Sequence, residues 1–194
     1  MHHLFYLMGK SASGKDTIYQ RLRAKFPELR PMVLYTTRPK RSHEQDGREY
    51  YFISAEQYIQ MCSADWWIET RTYHTQKGDW IYCTAKDSID LSNSSYLGIG
   101  TLESYCKIRT FFGADHVIPI YIDVEDGVRL QRALKREREQ ETPNYAEMCR
   151  RFLTDSQDFS EENLQAAGIR TKFSNLELEA CVSEISKWIA SFRE

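Results

Sequence analysis

The sequence predicts an α/β fold built on a mostly parallel sheet, with a mixed or antiparallel insertion. Three observations carry that prediction. Short apolar runs of strand length alternate with longer stretches of helical period. A glycine-rich segment joins the first strand to the first helix. Residues 36–84 then break the alternation with several aromatic, strand-like pieces.

The elements follow in order. Leu4-Phe5-Tyr6-Leu7-Met8 is a continuous apolar run ending at Gly9, as in a strand buried on both faces. Ile18, Leu22 and Phe26 recur every fourth residue and predict a helix over 15–26, followed by a turn between Pro27 and Pro31. Met32–Tyr35, Tyr50–Ile53 and Trp66–Ile68 read as strands, and Ser54 with Gln57 caps a helix between the last two. The stretch from Thr70 to Ile81 reads as a long loop. Ser95–Ile99 and Val117–Asp123 are core strands flanking a helix that carries Leu102, Tyr105, Ile108 and Phe112. Thr142-Pro143 predicts a helix start with proline at the first helical position. Residues 170–174 form a weak strand, and Leu178, Val182, Ile185 and Ile189 predict the last helix.

The chain has 194 residues, enough for one domain with an inserted subdomain. Lys plus Arg is 26 and Asp plus Glu is 28, so the net charge is −2, which argues against nucleic-acid binding through a global positive field. No apolar run is long enough to span a membrane. The five cysteines, 62, 83, 106, 149 and 181, are odd in number and form no CxxC pair. That pattern favours reduced thiols over disulfides or a zinc site. The first residues lack a signal peptide's apolar stretch, so a cytoplasmic location is expected.

Gly9-Lys10-Ser11-Ala12-Ser13-Gly14-Lys15-Asp16-Thr17 matches G-x-x-x-x-G-K between a predicted strand and a predicted helix. Gly9 and Gly14 allow the backbone to turn successive N–H groups onto phosphate oxygens. The helix N-terminus adds partial positive charge, and Lys15 can reach terminal phosphates. Gly9, Ser11, Ala12, Ser13, Gly14, Lys15, Asp16 and Thr17 are therefore the expected ATP-binding residues. Asp16 stands where a Ser or Thr commonly supports Mg²⁺. Asp16 or Thr17 is the candidate metal partner, and the sequence leaves open which.

Downstream lies Thr36-Thr37-Arg38-Pro39-Lys40-Arg41-Ser42-His43-Glu44-Gln45-Asp46-Gly47-Arg48-Glu49-Tyr50-Tyr51-Phe52. Arg38 and Arg41 are two guanidinium forks three residues apart, suited to a phosphate dianion. Tyr50 adds a phenolic donor. Glu44 either holds Arg41 or touches substrate. With the phosphate loop upstream, this string resembles the guanylate kinase family, whose pattern is T-T-R-x-x-R-x-x-E-x-x-G-x-x-Y-x-F. The resemblance runs over roughly residues 4–190 and is strongest in the first 70.

The resemblance implies a three-layer P-loop kinase fold. It implies a core of about 1–35 and 85–194, a monophosphate-binding insertion of about 36–84, and a lid of about 129–151. Trp67-Ile68-Glu69 is similar to the family segment whose Glu recognises guanine. A carboxylate accepts from the guanine ring N–H and exocyclic amine together, a donor pair adenine lacks. Tyr82-Cys83-Thr84 is similar to the family's Tyr-Gly-Ser/Thr, which implies a phosphate contact for Tyr82 and a base contact for Thr84. The expected GMP-binding residues are Arg38, Arg41, Tyr50, Glu69, Tyr82 and Thr84.

Two positions depart from the family. Leu34-Tyr35 stands where serines usually precede T-T-R. Leu97-Gly98-Ile99-Gly100-Thr101 stands where carboxylates usually follow the core strand. The expectation is that Asp16 takes over part of the lost acids' role.

Arg129, Arg132 and Arg136 share one helical face, and Arg150-Arg151 follows on the next helix. The region resembles the family's arginine lid, which implies transition-state roles for Arg132, Arg136 and Arg151 beside Lys15 and Arg38. Asn175 is implied near the adenine. The expected reaction is ATP-dependent, Mg²⁺-assisted phosphorylation of GMP to GDP, with nucleotides as partners and no membrane or nucleic acid. Another phosphate acceptor, or a binding module without catalysis, are the alternatives.

Overall fold

The computed structural model describes residues 1–42, 44–75 and 78–192. Strands are β1 (Leu4–Gly9), β2 (Arg30–Pro31), β3 (Leu34–Thr36), β4 (Tyr50–Phe52), β5 (Trp67–Thr75), β6 (Gly78–Ala85), β7 (Tyr96–Gly100), β8 (Val117–Asp123) and β9 (Lys172–Ser174). Helices are α1 (Lys15–Lys25), α2 (Ala55–Ser63), α3 (Leu102–Phe112), α4 (Asp126–Arg138), α5 (Tyr145–Asp158), α6 (Glu161–Ala166) and α7 (Leu178–Ala190).

A five-stranded sheet runs in the order β2-β7-β1-β8-β9, with every pairing parallel. Its central strand β1 is buried throughout, which is why its sequence is a continuous apolar run. Phe5 and Leu7 pack on one face with Ile18 and Leu22 of α1 and Val182, Ile185 and Ile189 of α7. Leu4, Tyr6 and Met8 pack on the other with Tyr105 and Ile108 of α3 and Leu164 of α6. The fold is thus helices on both faces of a parallel sheet. Open parallel sheets of this kind bind ligands outside the carboxyl ends of their strands, and here Gly9, Gly100, Asp123 and Ser174 lie at those ends.

A second, mixed sheet runs β4-β3-β6-β5, with β3–β4 parallel and β3–β6 and β5–β6 antiparallel. Four sequence expectations change here. The strand expected at 32–35 splits, because the chain leaves the first sheet after Met32, whose N–H donates to Leu97 O at 3.0 Å, and joins the second at Leu34. The loop expected over 70–81 is a hairpin, with Thr72 opposite Ile81 and Thr75 opposite Gly78. Thr70, Thr72 and Tyr73 are strand-forming residues in a polar segment, so apolar periodicity did not reveal them. Gln76 and Lys77 of that stretch, and His43 of the Thr36–Phe52 string, lie outside the described residues. Pro143 precedes α5 rather than entering it: Asn144 is the N-cap and accepts from Glu147 N–H at 3.0 Å. Finally, α6 was not foreseen, since only Leu164 of its six residues is buried.

The Ser54 capping box forms as expected, Ser54 Oγ accepting from Gln57 N–H and Gln57 Oε1 from Ser54 N–H. All five cysteines are free thiols. Among the described residues no helix is long and apolar enough to cross a membrane.

Candidate functional site

The loop after β1 is shaped by backbone geometry. Gly14 sits at φ 84°, in the left-handed region, and a side chain there would collide with the Asn175 amide. Ala12 also has positive φ, at 62°. Ser13 N–H donates to Lys10 O at 3.2 Å, closing the loop, and Gly14 C=O accepts the first α1 bond from Ile18. The buried Ser13 hydroxyl has no hydrogen-bond partner among the described residues. Lys15 begins α1, and Asp16 and Thr17 are exposed on its first turn. Gly9, Ser11, Ala12, Ser13, Gly14, Lys15, Asp16 and Thr17 therefore form one continuous cradle at the carboxyl end of β1.

Three later elements brace that cradle. Asn175, just past β9, donates through Nδ2 to Ser13 O at 2.7 Å, so its amide holds the loop. Arg132 in turn donates to Asn175 O at 2.9 Å. Arg129, 0% exposed, was not chosen from the sequence among the lid arginines, yet it is the most tightly held. It donates to Ser11 O at 3.0 Å, pairs with Asp126 at 2.6 Å, and lies 4.5 Å over the Phe152 ring. The Arg129 guanidinium holds the Asp126 carboxyl below the usual carboxylate range. Asp155 of α5 accepts from Ser11 N–H at 2.6 Å, and Arg151 Nη2 donates to Ser11 Oγ at 3.3 Å. A cavity of about 180 Å³ opens between α4 and α5, lined by Ser11, Arg136, Glu137, Met148, Arg151 and Phe152. Arg151 thus bonds the phosphate loop, Arg132 bonds Asn175 beside it, and Arg136 lines the cavity that Ser11 also lines. The signal for Arg129 was its place on the same helical face; nothing in the sequence marked it as the buried one.

The second cluster rests on the mixed sheet, and the Thr36–Phe52 string explains itself physically. Thr36 Oγ1 donates to Ile81 O at 2.9 Å and accepts from Arg38 N–H at 3.1 Å. Thr37 Oγ1 accepts from Ile81 N–H at 3.0 Å. The two threonines pin the start of the loop to β6. Arg38, 4% exposed, donates to both oxygens of Glu44, at 3.0 and 2.7 Å, and through Nε to Tyr82 OH at 3.2 Å. Glu44 therefore holds the Arg38 side chain; from Arg41 it accepts only the backbone N–H, at 2.8 Å. The Arg38 guanidinium lowers the Glu44 pKa to about 2. Arg41 is exposed, and its guanidinium makes no hydrogen bond or ion pair among the described residues. Tyr50 lies under Arg38 at 5.4 Å and edge-on to Tyr82 at 5.6 Å. Arg38, Tyr50 and Tyr82 are one assembly, with Arg41 at its rim.

Glu69 lies deeper, 3% exposed, just after a bulge that places Ile68 as an extra residue between the pairs Trp67–Ala85 and Glu69–Thr84. Thr84 Oγ1 donates to Glu69 Oε1 at 2.7 Å. Arg71, which the sequence reading passed over, donates to Glu69 Oε2 at 3.0 Å through Nε and to Oε1 at 3.4 Å through Nη2. Its Nη1 crosses to Thr101 Oγ1, the N-cap of α3 just past β7, at 3.3 Å. Burial opposes the Arg71 charge, and Glu69, Tyr6 and Tyr73 together more than offset it, so its pKa lies above the ordinary guanidinium value. Reading 70–81 as a strand would have put Arg71, two residues on, on the face of Glu69.

The two glycines of β7 also find a reason. Gly98 and Gly100 lie against Tyr6 of β1, and a Cβ at Gly100 would strike the Tyr6 hydroxyl. Tyr6 is fully buried and bonds Ser104 Oγ at 2.5 Å, and burial pushes its pKa up to about 12. A tyrosine ring fills the place where side chains at 98 and 100 would stand. Tyr35 is packed against Tyr51 and Trp67, with ring centroids at 4.7 and 5.4 Å.

Comparison with known proteins agrees with this geometry. The sequence model of the family described as "Guanylate kinase" matches residues 1–162. The guanylate kinase of Symbiobacterium thermophilum is 47% identical over 66 residues, 34% of this chain and 31% of that protein. That of Lawsonia intracellularis is 42% identical over 64 residues, 33% of this chain and 30% of that protein. That of Polaromonas sp. is 32% identical over 88 residues, 45% and 41%. The chain thus matches less than half the length of these curated relatives. The crystal structure of guanylate kinase from Anaplasma phagocytophilum superposes with a TM-score of 0.68 at 17% identity, over 98% of this chain and 85% of that one, a likeness of fold. With the family pattern matched across most of its length, the chain belongs to the guanylate kinase family.

Proposed function

We propose that the chain transfers the γ-phosphoryl group of ATP to GMP, giving ADP and GDP. The observation that carries this reading is the meeting of two different sites at one edge. A phosphate cradle ends β1, and the buried Glu69–Thr84 pair on the second sheet is tied by Arg71 to Thr101 at the end of β7.

In this reading the loop amides and Lys15 hold the ATP phosphates. Arg41, Arg38, Tyr50 and Tyr82 hold the GMP phosphate, with Glu44 fixing the Arg38 fork. Glu69 accepts the ring N–H and exocyclic amine of guanine. A phosphate oxygen of GMP attacks the γ-phosphorus in line, and the bond from that phosphorus to the β–γ bridging oxygen breaks, leaving ADP. A nucleotide phosphate is already largely dianionic near neutral pH, so no general base is needed. Arg132, Arg136 and Arg151 stabilise charge on the transferring group and close over it, excluding water. We assign a core of about 1–35 and 85–194, an acceptor insertion of about 36–84, a lid of about 129–151, and a cytoplasmic location.

Among the described residues no group of three acidic, His or Cys side chains forms a metal site. The donors present still fit Mg²⁺, which binds through one or two oxygens plus substrate phosphates and keeps several waters. Asp16 and Thr17, exposed beside the cradle, would hold it or its waters. Bound there with ATP, the ion would supply positive charge against the charge developing on the phosphates.

Phosphorus NMR of ATP, GMP and Mg²⁺ with the protein tests the reading. ADP and GDP should appear in equal amounts, and Lys15→Ala should lower kcat about 10²–10³-fold. ADP with inorganic phosphate and no GDP would contradict it.

A further inference from the structure

Guanine carries an acceptor, O6, beside the ring N–H, and recognising it requires a donor in the base pocket. Glu69 as a carboxylate only accepts. Thr84 has a single hydroxyl proton, and the 2.7 Å bond to Glu69 Oε1 uses it, since the carboxylate has none to give. Position 35, where the family commonly has a serine, is a tyrosine whose ring is packed against Tyr51 and Trp67. Positions 98 and 100 are glycines pressed on Tyr6. The charged donor against Glu69 is Arg71.

Arg71 is suited to that task. Its side chain is 9% exposed and that of Glu69 is 0% exposed, so the pair is shielded from water. Nε and one N–H of Nη2 face Glu69, and one N–H of Nη1 faces Thr101. A guanidinium has five N–H groups, so each terminal nitrogen keeps one. Thr101 is itself fixed, because its Oγ1 caps α3 by accepting from Ser104 N–H at 3.2 Å. The fork is therefore held at both ends with donors to spare, and once its long 3.4 Å contact to Oε1 yields, each oxygen of Glu69 keeps one lone-pair site for guanine. Arginine is also the side chain that most often pairs with the O6 edge of guanine in nucleic-acid recognition.

We propose that Arg71 is a specificity-determining residue of the acceptor pocket, donating to O6 of the guanine whose ring N–H and amine are read by Glu69. This rests on the reading of the chain as a GMP kinase. It makes the base site a paired carboxylate and guanidinium rather than a lone carboxylate. It also leaves Thr84 a positioning residue that holds Glu69.

The test compares kcat/KM for GMP, 6-thio-GMP and IMP. The first change weakens the acceptor at position 6 and leaves the amine in place, and the second removes only the amine. The native chain should prefer GMP to 6-thio-GMP by about tenfold. Arg71→Gln should bring that ratio to within about twofold while keeping the GMP-to-IMP preference. Collapse of both ratios would make Arg71 merely a support for Glu69 and overturn the proposal. So would an unchanged ratio in the variant. Should Arg71→Gln fail to fold, the native ratio alone decides, and a value below about two overturns the assignment. No turnover of GMP by the native chain overturns the kinase reading itself, an outcome distinct from GMP turnover without O6 discrimination.

Discussion

The phosphate loop and the acceptor insertion both bind phosphate in this account, yet they are built by opposite means. The loop works through its backbone: left-handed Gly14, positive φ at Ala12 and the start of α1 aim main-chain N–H groups, while Lys15, Asp16 and Thr17 lie at its surface. The insertion works through buried side-chain pairs, Arg38 with Glu44 and Arg71 with Glu69, fixed by threonine bonds to a sheet. A cradle made of backbone tolerates change at its exposed side chains. A site made of paired buried charges does not, because each partner leaves the other uncompensated.

The largest expected effect breaks that contrast directly. Arg38→Met leaves the buried Glu44 carboxylate without its guanidinium and should cost about 3–5 kcal/mol in urea unfolding. Asp16→Ala in the loop should stay within about 0.5 kcal/mol. Equal costs would remove the distinction.

Next is the junction of the two regions. Gly100→Ala drives a methyl into the Tyr6 hydroxyl and should cost about 1–3 kcal/mol. In a Tyr6→Phe background the cost should shrink, since the clashing oxygen is gone. Additive effects in the double-mutant cycle would mean that Tyr6 is not the reason for the glycine.

The pH-dependent form of the contrast lies in the acid limb. Glu44 titrates near 2 in the folded chain, held down by the Arg38 guanidinium, and near its ordinary carboxylate value when unfolded. Its stabilisation is complete above the unfolded pKa and disappears as pH falls through about 2. The stability gap between the native chain and Glu44→Gln should therefore be widest at neutral pH and close between about pH 4.5 and pH 2. A gap constant across that range would exclude the depressed pKa.

The same contrast explains what could be read from the sequence. The loop was legible because glycine spacing between a strand and a helix is itself the geometry. Arg38, Arg41 and Tyr50 were legible because a fixed string carries them, and Glu69 because it ends the short Trp67-Ile68-Glu69 segment. Arg71, Arg129 and Asp155 were not, since what marks them is a partner far away in sequence: Thr101 for Arg71, and Ser11 for the other two. The hairpin at 67–85 was missed because its residues are polar yet strand-forming, and with it went the alternation that pairs Arg71 with Glu69. The glycines of β7 looked like lost function. Beside Tyr6 they are a packing exchange across two neighbouring strands.

In the proposed reaction the backbone cradle takes ATP and the paired-charge pocket takes GMP. ADP release with ATP and Mg²⁺ against GMP, AMP, CMP and UMP tests it most directly. GMP should exceed every other acceptor by at least about 10²-fold in kcat/KM, as expected where buried polar groups would be left unpaired by the wrong base. No signal with GMP while another monophosphate is turned over would contradict it.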